Sequence, residues 1–252
     1  MTTSGGTPTS CSGWRVFSRI CDSLRRLGGD ILSLLYPPEC VLCGRNQPAV
    51  VCDTCRAGLP RIEGPRCEQC ADTLDDPSLD LCIACGTQER SFDRVVAVAP
   101  YDRGWRTLIH CFKFDGEQAV GRFLAREAAA VAQSAGLETE IDVITYVPMT
   151  RQERRCRGFN QAERLAQGIA RELKLPVQRM LAKHRRTERQ SRLGARQRRE
   201  NLRDAFRVVR WERRRVLLVD DICTTGATVN ECARALRRGG CHSVVVLTIA
   251  RA

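Results

Sequence analysis

Aromatic residues, histidines and long apolar runs are all scarce in this sequence. Aromatic residues make up 5% of the 252 residues, which leaves few rings for stacking on nucleic-acid bases. The three histidines lie far in sequence from Cys223, which favours a small apolar filler over a catalytic thiol at that position. No apolar run approaches the roughly 20 residues of a membrane span, and no segment of signal-peptide type opens the chain. We therefore expect a soluble, cytoplasmic protein without a transmembrane span.

Basic residues are abundant and unevenly distributed. The formal net charge is +12, but the segment from Arg151 to Arg215 holds 22 lysines and arginines against 7 acidic residues, a local charge of +15. The rest of the chain therefore sums to −3. Such a concentration indicates an anionic partner, either a polyphosphate or a nucleic acid, although a solvated basic face would have the same composition.

Composition divides the chain into four parts. Residues 1–13 are rich in Ser, Thr and Gly and are predicted to be disordered. Residues 14–36 have the pattern of an amphipathic helix with arginines on its polar side, which would pack on the protein or contact a membrane surface peripherally. Residues 37–90 carry four cysteine pairs and are predicted to form a double zinc ribbon. Residues 91–252 alternate between strand and helix patterns.

The last part predicts an α/β fold, with a mostly parallel sheet covered by helices on both faces. Strands are predicted near 94–99, 142–148, 177–182, 216–220 and 243–249, and helices near 104–114, 117–135, 159–174 and 227–239. The stretch 183–201 interrupts this alternation because it is too polar for a core element. It is predicted to be a loop or a flexible flap.

Eight of the fifteen cysteines fall into four Cys-x-x-Cys pairs, which indicates metal rather than disulfides in a chain without an export signal. Four thiolates match the tetrahedral site of a structural Zn²⁺, so two structural zinc ions are predicted. Gly44 and Gly86 each follow a pair and are expected to adopt the positive φ of a zinc knuckle. Pairing in chain order and a cross-braced arrangement both remain open. The predicted ligands are Cys40, Cys43, Cys52, Cys55, Cys67, Cys70, Cys82 and Cys85.

A buried strand followed by acidic and hydroxyl residues is predicted at 216–229, VLLVDDICTTGATV. Its apolar start is typical of a strand buried on both faces, which is predicted to end at Asp220, and a helical pattern begins near Ala227. Ligands of parallel sheets bind beyond the carboxyl ends of strands, so the intervening loop is the predicted site. A glycine, hydroxyl groups and a helix N-terminus together favour a phosphate. The predicted phosphate-binding residues are Thr224, Thr225, Gly226, Ala227 and Thr228.

Asp220 and Asp221 would repel a phosphate, so they are predicted to face ribose hydroxyls and the positive charge that develops at C1 when pyrophosphate leaves. A ribose 5-phosphate satisfies both the hydroxyl loop and the carboxylates. The lysine and the spacing of a P-loop are absent, which argues against nucleotide triphosphate hydrolysis. An ordinary helix cap is the alternative, but one cap does not need two aspartates and three threonines.

These motifs resemble known families. VLLVDDICTTGAT is similar to the phosphoribosyl-pyrophosphate motif of type I phosphoribosyltransferases. Together with the cysteine pairs, KFDG and RGFNQ, it resembles the ComF-type competence proteins over about residues 32–250. The resemblance implies that the stretch 183–201 is a hood over C1. It also implies that Mg²⁺-pyrophosphate is bound by Arg151, Arg154, Arg155 and Arg157, which cluster after a predicted strand. Other positions that match the family pattern are Lys113, Gly158, Asn160, Gln161, Gln190, Arg198 and Asn201.

Two functions follow from the residues and the resemblance. As an enzyme, the protein would bind Mg²⁺-phosphoribosyl pyrophosphate, and Asp220 and Asp221 would support transfer of ribose 5-phosphate to a nitrogen acceptor. As a binding module, it would keep the phosphate pocket as a sensor or vestige. Its zinc ribbons and basic segment would then hold single-stranded DNA for the uptake machinery of natural competence.

Overall fold

The computed structural model describes residues 38–184, 202 and 204–252, and it divides into two compact units between Ala57 and Gly58. The predicted segments 1–13 and 14–36 lie outside the described residues. Residues 185–201, which are most of the stretch predicted to be a loop or flap and include Gln190, Arg198 and Asn201, also lie outside them. Within the described ranges, no helix is long and apolar enough to cross a membrane.

Among the described residues, the first unit carries the first two cysteine pairs and one short helix, and the second unit carries the other helices and strands. The helices are α1 Asp53–Ala57, α2 Ile83–Thr87, α3 Arg103–His110, α4 Gln118–Ser134, α5 Leu137–Glu140, α6 Arg151–Arg157, α7 Gln161–Leu173 and α8 Ala227–Arg238, and a π-helical segment, Cys111–Asp115, continues α3. The strands are β1 Arg94–Pro100, β2 Val143–Tyr146, β3 Leu181–Lys183, β4 Phe206–Val208, β5 Arg215–Cys223 and β6 Ser243–Arg251.

The second unit is built on a four-stranded parallel sheet with the strand order β1-β6-β5-β2. Val216 to Val219 of β5 are all buried, which is the pattern predicted for a central strand. Helices α4 and α7 pack against each other and against the sheet, while α8 packs against β5, β6 and the short β3–β4 pair. The predicted α/β class is confirmed.

Two strand boundaries differ from the sequence prediction. The strand predicted near 177–182 makes only one parallel bridge, between Val177 and Ile144, and the regular strand β3 pairs antiparallel with β4 in a separate sheet. The ladder stops because the N–H of Met180 donates to the hydroxyl of Thr145 instead of to a strand carbonyl. The strand predicted to end at Asp220 continues to Cys223, since β6 pairs with β5 over its whole length.

Candidate functional site

The eight predicted zinc ligands form two groups of four, and in each group the sulfur atoms lie within 4.8 Å of one another. The groups follow chain order and are not cross-braced: Cys40, Cys43, Cys52 and Cys55 form the first site, and Cys67, Cys70, Cys82 and Cys85 form the second. Burial opposes ionisation, but backbone N–H groups donate to sulfur and lower the pKa of Cys40 to about 6 and that of Cys67 to about 7. Hydrogen bonds with Cys52 and other thiols of the first site raise the pKa of Cys55 to about 12, and burial raises the pKa of Cys70 and Cys85, so Cys40 and Cys67 are the thiols most readily available as thiolate ligands. Four sulfurs leave no open position, as in structural zinc sites.

The two zinc sites share one backbone plan, which corrects the role predicted for Gly86. In the first site Gly44 follows Cys43 with a φ of 72°, as predicted. In the second site the equivalent residue is Ala71, which has a φ of 57° and whose N–H donates to the carbonyl of Cys67 over 2.9 Å. Gly86 instead lies within α2, because the second cysteine pair of each site leads into a short helix.

A cleft of about 230 Å³ opens where β5 ends and α8 begins. It brings together the two predicted catalytic aspartates, four of the five predicted phosphate-binding residues and one residue of the KFDG motif. The residues that line it are Lys113, Asp220, Asp221, Ile222, Cys223, Thr224, Gly226, Ala227, Thr228 and Val229. The carboxyl end of a central parallel strand is the location that the topology predicts for a ligand.

The electrostatics of this cleft are set by two carboxylates and one ammonium. Lys113 Nζ lies 2.6 Å from Asp221 Oδ2, and the two side chains are only 16% and 15% exposed. Burial, followed by the neighbouring charge of Asp221, raises the pKa of Asp220 to about 7, and Lys113 partly opposes this effect. The cleft therefore has more acidic than basic groups and favours the approach of positive charge.

The segment from Thr224 to Thr228, which we call the phosphate loop, leads into the N-terminus of α8. Gly226 caps this helix with a φ of 73°, a left-handed conformation that strains most other residues. The Thr225 hydroxyl accepts from the N–H of Ala227 over 3.4 Å, and Thr225 does not line the cleft in the described structure. Burial raises the pKa of Cys223 to about 11, so this thiol stays protonated at neutral pH, in agreement with its predicted role as a filler.

The four arginines predicted to bind pyrophosphate lie on α6, a short helix that follows β2, rather than on an open loop. Thr150 and Glu153 form a capping box at its start, which explains why this segment is helical. Arg151, Arg154, Arg155 and Arg157 are all exposed. Among the described residues that line the cleft at β5, none belongs to α6.

The RGFNQ residues connect the parts of the site. Asn160 caps α7 by accepting from the N–H of Ala162 over 3.0 Å, and its amide donates to the carbonyl of Val147 after β2 over 3.0 Å. The Gln161 amide donates to the carbonyl of Lys113 over 3.4 Å. Both side chains are buried, so they position α7 and the lysine segment instead of facing the cleft. Gly158 ends α6 with a φ of 83°.

Arg251 is a site residue that sequence reasoning missed. Its Nη1 donates to the carbonyls of Cys223, over 3.2 Å, and Thr224. Arg251 pairs with Cys223 in the ladder between β6 and β5, so it stands beside the start of the phosphate loop. Its place at the end of a strand next to the acidic strand is the sequence signal that could have identified it.

Comparisons with known proteins agree with this architecture. The double zinc ribbon domain family matches residues 31–86, and the phosphoribosyl transferase domain family matches residues 160–252. Part of the chain is also similar in structure to the glutamine phosphoribosylpyrophosphate amidotransferase of B. subtilis, with 23% identity and a TM-score of 0.38. That similarity covers 55% of this chain and 30% of the other.

Several curated proteins are similar over most of their length. Competence protein F of Haemophilus influenzae is 32% identical over 223 residues, which cover 85% of this chain and 97% of that protein. The DNA utilization protein YhgH of Escherichia coli K12 is 32% identical, with 86% of this chain and 99% of that protein covered. Competence protein ComFC of Streptococcus pneumoniae is 26% identical, with 84% and 100% covered. The chain joins a double zinc ribbon to a phosphoribosyl transferase domain and belongs to the ComF family.

Proposed function

We propose that the protein binds Mg²⁺-phosphoribosyl pyrophosphate in the cleft at β5 and transfers its ribose 5-phosphate to a nitrogen acceptor. The observation that carries this proposal is that a phosphate-binding type of loop and two carboxylates line the same cleft. The phosphate loop provides helix N-terminal N–H groups for the 5-phosphate, and Asp220 and Asp221 provide acceptors for ribose hydroxyls. A ribose 5-phosphate is a ligand that carries both complementary groups.

The carboxylates also suit the reaction at C1. When the bond from C1 to the pyrophosphate oxygen breaks, the ring becomes positively charged, and the negative charge of Asp220 and Asp221 stabilises it. The acceptor nitrogen donates its lone pair to the opposite face of C1, inverts that centre and then releases its proton to solvent. Pyrophosphate departs with the electron pair of the broken bond.

The residues of the cleft fit a ligand that carries Mg²⁺. Among the described residues that line the cleft, two are carboxylates and one, Lys113, is an ammonium, and carboxylate oxygens are ligands that Mg²⁺ accepts. When bound with the substrate, Mg²⁺ supplies charge neutralisation on the leaving pyrophosphate. The exposed arginines of α6 follow the neighbouring strand β2 and would add bidentate donors to the same group.

Calorimetry tests this proposal directly. Phosphoribosyl pyrophosphate should bind the wild-type protein in the presence of Mg²⁺, and binding should weaken about tenfold or more in Asp220→Ala and Thr224→Ala, because both residues line the cleft. Asp204→Asn is a matched control, because Asp204 is a 63% exposed carboxylate with a φ of 53°, a conformation that Asn tolerates. Absence of binding by the wild-type protein would contradict the proposal. Pyrophosphate release in the presence of a panel of bases and amines then separates an enzyme from a sensor.

A second candidate function, binding of single-stranded DNA, is favoured by one exposed ring. Trp211 is 71% exposed and is flanked in sequence by Arg210 and the run Arg213 to Arg215, of which Arg210 and Arg214 pair with Glu212. The names of the relatives, which refer to competence and DNA utilization, support this candidate. DNA bound in this way would be transferred to, or received from, the DNA-uptake machinery.

Fluorescence anisotropy with labelled oligothymidylate tests the second candidate. Binding should fall steeply as salt rises, and Trp211→Ala should weaken it about fivefold or more, the effect of losing one stacked base. Trp14→Ala is the control because it removes a tryptophan outside the basic segment. Equal affinities for Trp211→Ala and the wild-type protein would exclude Trp211 as the stacking residue.

A further inference from the structure

One guanidinium joins the second zinc site to the phosphate loop. The Arg251 side chain is 10% exposed, and its Nη2 lies 3.0 Å from a carboxylate oxygen of Asp72. Its Nε donates to the carbonyl of Cys70, a ligand of the second site, over 3.1 Å. Its Nη1 donates to the carbonyl oxygens of Cys223 and Thr224 at the start of the phosphate loop. A single, largely buried side chain therefore bonds to both the second zinc site and the phosphate loop.

The direction of these carbonyls determines where the amide groups of the loop point. Across a planar trans peptide, the carbonyl of one residue and the N–H of the next lie on opposite sides. Because the Thr224 carbonyl accepts from Arg251, the N–H of Thr225 points away from Arg251. Arg251 thus fixes the orientation of a peptide group at the start of the phosphate loop.

A second arginine packs between the same two parts. Arg90 hydrogen-bonds to the sulfur of Cys85, another ligand of the second site, and its guanidinium carbon lies 6.0 Å from the centre of the Phe92 ring. A Cβ atom placed on Gly226 would lie 3.9 Å from Arg90 Nη1 and 4.0 Å from the Phe92 ring. Side chains next to the second zinc site therefore pack beside the glycine of the phosphate loop.

We propose that the second zinc site holds the phosphate loop in its ligand-binding conformation, with Arg251 as the positioning residue. This inference rests on the proposed function, since the ligand is the ribose 5-phosphate end of phosphoribosyl pyrophosphate. Four sulfurs on one ion fix the turn that presents the Cys70 carbonyl and the Asp72 carboxylate to Arg251. Those two partners orient the guanidinium, which in turn orients the loop. Loss of the zinc ion would therefore release the turn that orients Arg251.

Calorimetric titration of the zinc-loaded protein with ribose 5-phosphate tests the positioning role. Arg251→Met keeps most of the apolar stem and removes the donors, so the Kd should rise about tenfold while both zinc ions are retained in native mass spectrometry. Asp72→Asn should cause a smaller rise in the same direction. Arg126→Met is the matched control, because this 73% exposed arginine pairs only weakly with Glu172 on the surface. Binding by Arg251→Met within twofold of the wild-type protein would overturn the inference.

Amide hydrogen exchange separates this inference from the proposed function. The amides of residues 224–228 should exchange faster in Arg251→Met and in Cys67→Ser than in the wild-type protein, even without ligand. Cys40→Ser, which removes a ligand of the site in the other compact unit, should leave their exchange unchanged. If Cys67→Ser does not fold, Arg251→Met decides the question. A wild-type protein that fails to bind ribose 5-phosphate refutes the proposed ligand, whereas unchanged loop exchange in Arg251→Met refutes the zinc link.

Discussion

Replacing Asp220 by Asn should stabilise the folded protein near neutral pH, although it removes a proposed ribose ligand. Burial and the charge of Asp221 raise the pKa of Asp220 from its ordinary value of 3.8 to about 7 in the folded chain. Folded protein therefore keeps a proton that the unfolded chain has released, and stability that is fully present below about pH 4 is lost as the pH rises through about 7. An Asn side chain does not titrate, so the Asp220→Asn protein does not lose this stability as the pH rises.

The expected size of the effect follows from the two pKa values. A pKa difference of one corresponds to about 1.4 kcal/mol, so the full penalty on the wild-type protein is about 4 kcal/mol at about pH 8. About 2 kcal/mol of this penalty develops between about pH 5.5 and about pH 8. The free energy of unfolding of Asp220→Asn, measured relative to the wild-type protein, should therefore increase by about 2 kcal/mol over that range. The pH dependence of zinc binding cancels in this difference because both proteins contain the same cysteines.

Urea unfolding followed by circular dichroism at several pH values measures this difference. Asp142→Asn provides a control of opposite sign. Hydrogen bonds from Arg215 lower the pKa of Asp142 to about 2, so its ionised form stabilises the folded chain at every pH above that value and its loss should destabilise the protein. A difference between Asp220→Asn and the wild-type protein that stays flat from about pH 5.5 to about pH 8 would refute the reasoning about Asp220.

Three further outcomes are expected. Lys113→Met removes the cation 2.6 Å from Asp221 and should raise the pKa of Asp220 further, so an unchanged carboxyl titration by ¹³C NMR would show that the ion pair does not act on Asp220. Ala71 has a φ of 57°, so Ala71→Gly should raise the free energy of unfolding by up to about 1 kcal/mol in thermal melts, whereas Gly44→Ala should lower it. Native mass spectrometry of the wild-type protein should find two zinc ions, and a disulfide-bonded, metal-free chain would contradict the four-sulfur sites.

Features of the fold that depend on local patterns were predictable from the sequence. The apolar run at Val216 to Val219 identified the central strand, and the helix after it begins at Ala227 as predicted. The cysteine spacing identified both metal sites, since a Cys-x-x-Cys turn brings its two sulfurs together wherever it occurs. These signals act over a few residues, so no knowledge of the tertiary structure was needed.

Features that depend on tertiary contact were not predictable in the same way. Lys113 matched a family motif, but its pairing with Asp221 joins residues 108 positions apart. This pairing depends on the π-helical segment that contains Lys113, and the pattern of apolar residues does not predict that segment. The positive φ of Ala71 was also missed, because the zinc site imposes a conformation that its residue type disfavours. Arg251 went unnoticed for a similar reason: apart from the Asp72 carboxylate, its partners are backbone carbonyls, which any residue type can provide.

The raised pKa of Asp220 bears on whether the cleft is a working site or a vestige. The neighbouring carboxylates of Asp220 and Asp221, with one ammonium beside Asp221, should make the ligand-free folded state less stable near neutral pH than the same fold with a neutral residue at position 220. A cation that enters with a pyrophosphate, or positive charge at C1, would recover that free energy on binding. The cleft is therefore better matched to its occupied state than to its empty one, as expected of a preorganised binding site. The same electrostatics would serve a sensor as well as an enzyme, because they would stabilise a bound sugar phosphate with its metal whether or not it is turned over.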